Sequence, residues 1–251
     1  MGRKVKGILR IGTSNVVVPG NKETFPAAFR DKSRLTYYAS LFNTVELNST
    51  FRKIPRSTTL AKWCNEVPDD FQFTLKIIKD ITHVKNIEAD TALLEPFVNA
   101  AENLASKKGC LLVQFPASIH AEYLEEVNLI LETLHELDTN NRWKKAVEFR
   151  NVTWYTSHTF IMLKQYKAAM VLQDMPRSNN LHVQQQLAFY YFRYHGPAGD
   201  YRGSYTNEFL QAQADRMKAL LNTGTDVYAY FNNTMGNAFE NARYLQELLK
   251  R

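Results

Sequence analysis

The chain has 251 residues, 45% of them hydrophobic and 12% aromatic, enough to bury one sizeable core. Its formal net charge of +6 favours an anionic partner and says nothing about the fold. No segment is apolar enough to span a bilayer, and the N-terminal "MGRKVKGILRIG" has neither the apolar run of a signal peptide nor, with Lys6, the Ser or Thr of a myristoylation motif, so no membrane partner is expected. The two cysteines, Cys64 and Cys110, fall in no CxxC or Cys/His ligand spacing and read as reduced core thiols. A cytoplasmic location is expected, so the Asn-x-Thr sequons at Asn48, Asn151 and Asn232 should stay unglycosylated.

In chain order, the β-rich run "ILRIGT" 8–13 is followed by the amphipathic segment "SRLTYYASLF" 33–42, then by strands "TVELNSTF" 44–51 and "FQFTLKI" 71–77. A helical "TALLEPFVNAAENLASK" 91–107 precedes strand "CLLVQF" 110–115, and "AEYLEEVNLILETLHEL" 121–137 precedes "KAVEFR" 145–150 and "AMVLQD" 169–174. Strand "FYYFRYH" 189–195, helix "NEFLQAQADRMKALLN" 207–222, strand "VYAYFNN" 227–233 and helix "NAFENARYLQELLKR" 237–251 complete the series. Eight strand-then-helix units in 251 residues predict an α/β fold, a (β/α)8 TIM-type barrel spanning 1–251 as a single domain. A doubly wound open sheet is the alternative. There is no self-similar period and no linker-like stretch.

Alternation along each strand sends one parity towards the helices and the other into the barrel. The second strand turns Val45 and Leu47 outward and Glu46, Asn48 and Thr50 inward. The third turns Gln72, Thr74 and Lys76 inward, and the fifth Glu148 and Arg150. Gln114, Asp174, Arg193, His195 and Asn232 join them from the fourth, sixth, seventh and eighth strands. These polar residues gather towards the C-terminal strand ends, where barrel enzymes place their active sites. Mutual neutralisation explains any one pair equally well, because buried charges need partners. It explains the whole ring less well, since a barrel needing only stability could fill those layers with branched apolar side chains.

Across nearly its whole length the chain resembles the YecE-like proteins, the family called domain of unknown function 72. The resemblance rests on "IGTS" 11–14, "YYASLFNTVELNSTF" 37–51 with Pro55, Trp63 with Pro68, "KIIKDITH" 76–83, "QFP" 114–116, "EFRNVTW" 148–154, "DMP" 174–176, "RYHG" 193–196 and "YFNNT" 230–234. It implies a (β/α)8-type barrel and a shared pocket, and it supplies no reaction. Two departures stand out. Asn15 and Val16 replace the Gly and aromatic that usually continue the first motif, and Arg52 stands where a Tyr commonly follows "NSTF".

No P-loop, GxGxxG or HExxH is present, and the cations Lys76, Arg150 and Arg193 offset the carboxylates Glu46, Glu148 and Asp174. No cofactor is therefore expected, with a single divalent metal at His83, His195 and those carboxylates as the alternative. The cations suit a small anionic ligand, phosphorylated and sugar-like. In that reading Glu148 is the acid or base, Asp174 a second carboxylate, and His195 a proton shuttle or orienter. Arg150, Arg193 and Lys76 hold the anion, and a desolvated Lys76 could also act as an amine nucleophile.

Glu46, Asn48, Thr50, His83 and Gln114 are expected to contact substrate, as are Gly196, Asn232 and Asn233, with Tyr201 and Trp154 as walls. The glycine-rich "HGPAGDYRG" 195–203 and a helix capped by Asn232, Asn233 or Thr234 offer a phosphate site. Isomerase, lyase and hydrolase chemistry all remain open, as does the oligomeric state. Two other classes stand beside this one. The first is a nucleic-acid-binding or phosphodiester-processing protein using Lys79, His83, Lys85, Arg177 and Arg202. The second is a non-catalytic anion sensor.

Overall fold

The computed structural model describes residues 6–88 and 90–251, so the first five residues of the N-terminal stretch discussed above lie outside the described residues. All eight strands form: β1 (Leu9–Thr13), β2 (Thr44–Leu47), β3 (Gln72–Lys76), β4 (Lys108–Phe115), β5 (Lys144–Phe149), β6 (Ala169–Gln173), β7 (Tyr190–Tyr194) and β8 (Val227–Phe231). They pair in parallel in the order β1-β8-β7-β6-β5-β4-β3-β2, a nearly closed TIM-type barrel. Eight α-helices lie among the described residues: α1 (Arg34–Ala39), α2 (Ser57–Asn65), α3 (Lys79–Thr82), α4 (Leu94–Ala101), α5 (Leu124–Leu137), α6 (Ser157–Gln165), α7 (Asn207–Asn222) and α8 (Ala238–Lys250). No helix among them is long and apolar enough to cross a membrane.

Local chemistry explains the elements. Ser33, Thr156 and Thr206 accept the backbone N–H of Thr36, Thr159 and Phe209, which starts α1, α6 and α7. Helix α5 buries Val127, Ile130, Leu131 and Leu134, the stripe that a 3.6-residue period dictates. Outward strand residues such as Val45, Phe73, Val147 and Phe192 join those stripes in the main core. A second cluster fills the barrel, with Cys110, Leu112, Ala146, Val171, Tyr191, Tyr228 and Tyr230. The hydroxyl of Tyr230 lies 2.7 Å from that of Thr44 and 2.8 Å from that of Thr74, so the tyrosine is bulky filler with its polar end satisfied.

The structure departs from the expected elements in four places. Strand β2 stops at Leu47, and Ser49–Phe51 forms a 3-10 turn, so Asn48 and Thr50 are not inward residues of a strand. The helix expected over 91–107 breaks into α4 and flanking 3-10 turns, with Ala105 at φ +50°. Helices α2, α3 and α6 went unread because none exceeds nine residues. Between β6 and β7 no helix forms. The segment is instead pinned by Asn180, whose side chain accepts from Gln173 N (2.7 Å) and donates to Val171 O (2.9 Å) like a strand backbone, and by Arg216 of α7, which donates to Val183 O (2.8 Å). Of the two cysteines, Cys110 is inside the barrel and Cys64 only half-buried.

The edges β1 and β2 meet mainly through side chains. Asn43 accepts Ile11 N–H (3.2 Å) and donates to Leu9 O (2.9 Å), while the Tyr38 hydroxyl accepts Thr13 N–H (2.7 Å) and donates to Thr44 O (3.0 Å). Gly12 sits in this seam, and a Cβ there would lie 2.2 Å from Thr44 O and 2.8 Å from the Tyr38 hydroxyl. Gly12→Ala must push the edges apart and is expected to cost about 1–3 kcal/mol. Tyr38→Phe should cost about 1–3 kcal/mol by stranding two backbone groups. Urea unfolding midpoints check both, and an unchanged midpoint for Gly12→Ala would mean that the seam has slack.

Candidate active site

The last inward residues of five strands, Glu46 (β2), Lys76 (β3), Gln114 (β4), Glu148 (β5) and Arg193 (β7), meet at the C-terminal mouth, all buried. Arg193 is their centre. Its Nη2 donates to Glu46 Oε1 (2.8 Å), its Nε to Glu46 Oε2 (3.0 Å), and its Nη1 to Glu148 Oε2 (2.9 Å). Ser14 Oγ donates to Glu46 Oε1 (2.6 Å) and the Tyr191 hydroxyl to Oε2 (2.5 Å), so both oxygens are occupied. The other oxygen of Glu148 accepts from Arg150 Nε. Burial alone would raise both carboxylates, but Arg193 at Glu46, and Arg150 with Arg193 at Glu148, hold them below the ordinary range. Glu148 is thus a counter-ion locked between two guanidiniums, a poor fit to the proton-transfer role expected of it.

His195, just past β7, has its Nε2 3.0 Å from Arg150 Nη2 and 3.1 Å from Arg193 Nη1. Guanidinium nitrogens only donate, so Nε2 must accept and the proton sits on Nδ1, which donates to Asp174 Oδ1 (3.1 Å). Burial lowers the imidazole and the Asp174 hydrogen bond opposes it, with the net shift downward. His195 is therefore neutral and orients the arginines, and its lone pair is already used. This also removes it from the single-metal alternative, and no group of three His, Cys, Asp or Glu suited to a metal occurs among the described residues. Asp174 stands past the end of β6, outside that strand's alternation. It also accepts from His195 N (2.7 Å) and from the Tyr205 hydroxyl.

Lys76 is different. Its Nζ donates to Gln114 Oε1 (2.7 Å) and lies 3.9 Å from the centre of the Phe51 ring, with no ion-pair partner among the described residues. Burial first, then Arg193, brings the amine down from 10.5 to about 8. Its partner Gln114 also lines a cavity of about 550 Å³, together with His83, Arg150, Arg177, Ser178 and Tyr201 and with no carboxylate in the wall. At its rim His83 is exposed, its ring lowered by partial burial and by Lys76.

Several expected contacts have other work. Thr50 donates to Lys76 O (2.7 Å) and braces β3. Asn48 N–H is held by Asn15 Oδ1 (3.1 Å), and Asn15 is at φ +63°, a conformation asparagine tolerates where glycine is usual. Arg52 is exposed, and Val16 packs against the outer core. Trp154 stacks on Phe149 (4.3 Å) and donates to Ile119 O (2.8 Å), so it is core and not wall. Gly196, at φ +98°, donates to the Tyr205 hydroxyl (2.6 Å).

The helix cap expected at Asn232, Asn233 or Thr234 lies elsewhere, because α8 begins at Ala238 behind Asn237, and several donors of the last two loops are engaged within the protein. Asn233 donates to Gly203 O (3.0 Å) and to Asn241 Oδ1 (3.0 Å), Asn232 N–H is taken by Tyr194 O (2.7 Å), and Asn237 N–H at the start of α8 by Gly203 O (3.0 Å). The sequence reading missed Ser14, Tyr191, Phe51, Tyr205 and Ser178. Parity points to Ser14 and Tyr191, being two residues from Gly12 and Arg193, whereas Phe51 and Tyr205 reach the site only through loops.

The charge network makes a stability prediction. Glu46 and Glu148 have folded pKa values below the ordinary 4.5, so their contribution is complete above that pH and drains away as pH falls below it. Glu46→Gln should cost about 3–5 kcal/mol at pH 7 and lose less than the parent on going to pH 4. Denaturant midpoints at the two pH values measure this, and equal stability at pH 7 would contradict the assignment.

The family model described as "Protein of unknown function DUF72" matches residues 10–251. Among curated relatives, UPF0759 protein YunF of Bacillus subtilis is 25% identical over 90% of this chain and 89% of its own length. UPF0759 protein YecE of Escherichia coli is 29% identical over 40% of this chain, a match spanning only 37% of that relative. A DUF72 family protein from Enterococcus faecalis superposes with a TM-score of 0.76 at 20% identity, covering 98% of this chain and 99% of that one. One from Thermotoga maritima gives 0.73 at 22%, covering 97% and 100%. With the family model matched over nearly the whole sequence, the chain belongs to the DUF72 family, the group that includes the YecE-like proteins.

Proposed function

We propose that the protein is an enzyme that binds a small anionic substrate, phosphorylated and sugar-like, in the mouth cavity and transfers protons there. The observation that carries this reading is the wall of the cavity, with two guanidiniums and no carboxylate. Arg150 spends Nε on Glu148 and Nη2 on His195, leaving Nη1 without a protein partner among the described residues. Arg177 is exposed beside it. A fixed fork and a second cation suit a phosphate or carboxylate. Glu148, Arg193, His195 and Asp174 hold that fork in place, and Glu46 holds Arg193. Proton transfer falls to Lys76, whose amine near pH 8 exchanges its proton at physiological pH, with His83 at the rim.

Two measurements test the reading. Calorimetric titration with inorganic phosphate should give binding that Arg150→Gln and Arg177→Ala each weaken by about tenfold or more. The polyanion alternative draws on exposed Lys79, Lys85, Arg177 and Arg202. Sub-micromolar, steeply salt-dependent binding of single-stranded DNA that phosphate does not displace would replace the small-substrate reading.

Lys76 also predicts a stability effect. With a folded pKa near 8 against 10.5, the cost of keeping it charged is full below pH 8 and fades as pH rises towards 10.5. Lys76→Met should therefore be more stable than the parent at pH 7, by on the order of 3 kcal/mol at most, and the difference should shrink at pH 10. A destabilised Lys76→Met would show that the amine is structural.

A further inference from the structure

We propose that Lys76 is an imine-forming lysine and that the substrate is an anionic carbonyl compound, an aldehyde or ketone carrying a phosphate or carboxylate. This rests on the mouth-cavity reading and adds the bond that forms there.

The argument starts from a comparison of the buried cations. Among the described residues five lysine and arginine side chains are buried, and four of them have a carboxylate: Arg193 with Glu46 and Glu148, Lys145 with Asp138 (2.8 Å), Lys108 with Glu102, and Lys107 with Asp69 (3.6 Å). Lys76 alone has none. A fold that pairs its other buried cations, Arg193 at the same mouth included, leaves Lys76 unpaired. The surroundings of Lys76 make its proton easier to lose than that of an ordinary lysine. Gln114 Oε1 and the Phe51 face hold Nζ in place and suit an ammonium, but burial and the guanidiniums of Arg193 and Arg150 oppose the positive charge and prevail. Glu46 and Glu148 face the same space, but their oxygens are held by Arg193, Arg150, Ser14 and Tyr191. An amine of this kind is a nucleophile.

The second observation is position. Gln114, which holds Nζ at 2.7 Å, also lines the cavity that contains Arg150 and Arg177. A molecule anchored there by an anionic group would bring a carbonyl towards Lys76. In the step proposed, the ammonium first releases a proton to solvent. Its nitrogen lone pair then adds to the carbonyl carbon, the C=O π pair moves to oxygen, and that oxygen is protonated. The nitrogen of this adduct gives up one proton and the hydroxyl takes one, so the carbinolamine expels water as the freed nitrogen lone pair forms the C=N bond. One ammonium and one carbonyl thus give one iminium and one water, with no oxidant or reductant. The iminium draws electrons from the neighbouring carbon, which labilises a C–H or C–C bond. Among the reactions the sequence leaves open, isomerase and lyase chemistry use this and hydrolysis does not.

The test uses glyceraldehyde 3-phosphate and glyceraldehyde as probes, each with cyanoborohydride, on the full chain, with adducts located by peptide mass spectrometry. The expected result is an adduct on Lys76 ahead of exposed Lys79 and Lys85. It should form at least tenfold faster with the phosphorylated probe, be slowed by inorganic phosphate, and be absent from a folded Lys76→Met variant. Labelling of Lys76 no faster than of the exposed lysines, or without preference for the phosphorylated probe, overturns the proposal. Phosphate binding in calorimetry without an adduct overturns the imine and leaves the anion site standing. Neither binding nor adduct overturns both.

Discussion

The guanidinium of Arg193, buried between Glu46 and Glu148, is the constraint on which the mouth of this barrel depends. It ties β7 to β2 and β5, strands that do not neighbour it in the sheet. A buried ion pair is tolerable only when every remaining lone pair and proton is also satisfied. The surrounding residues meet that demand: Ser14 and Tyr191 complete Glu46, Arg150 completes Glu148, and His195 accepts from both arginines. Each of these groups is then fixed in charge and position. The network thereby divides the site into groups that hold and a group, Lys76, that is free to change.

The same network specifies register. Alternation has period two, so a slip of one residue in β2 or β5 would send Glu46 or Glu148 into the apolar layer under the helices and bring Val45 or Val147 to the mouth. Deeper in the barrel the tyrosines act likewise. Tyr230 reaches Thr44 and Thr74 across the interior, and Tyr228 donates to Gln72 Oε1 (2.8 Å). The barrel is therefore filled by large side chains whose polar ends must find particular partners, which favours a single arrangement over many similar ones.

For the proposed chemistry, the electrostatics of the mouth run in one direction. The carboxylates are consumed within the ring, and the cavity above it presents Arg150 and Arg177. An arriving anion meets Arg150, already held by Glu148 and His195, so binding at that guanidinium needs little reorganisation. Arg150 serves both ends: it faces the cavity, and its charge adds to the lowering of Lys76 that burial and then Arg193 dominate.

The sequence by itself determined the barrel, because strand and helix periodicities are local and their alternation admits few architectures. It also determined the ring, because parity is a property of each strand alone: Glu46, Lys76, Gln114, Glu148 and Arg193 all stand where alternation puts them. It failed where a strand ended early, at Asn48 and Thr50, and where residues act from loops, at Phe51, Tyr205 and the last two turns, since no period extends into a loop. Which carboxylate faces which cation was decided only in three dimensions. Glu148 read as an acid or base and His195 as a shuttle or orienter, and the two guanidiniums on each favour holding over proton transfer. Lys76 read equally as an anion clamp and as an amine nucleophile, and the two separate only because the other buried cations have carboxylates and it does not. Pairing depends on distances between strands far apart in the chain, and those distances exist only once the barrel has closed.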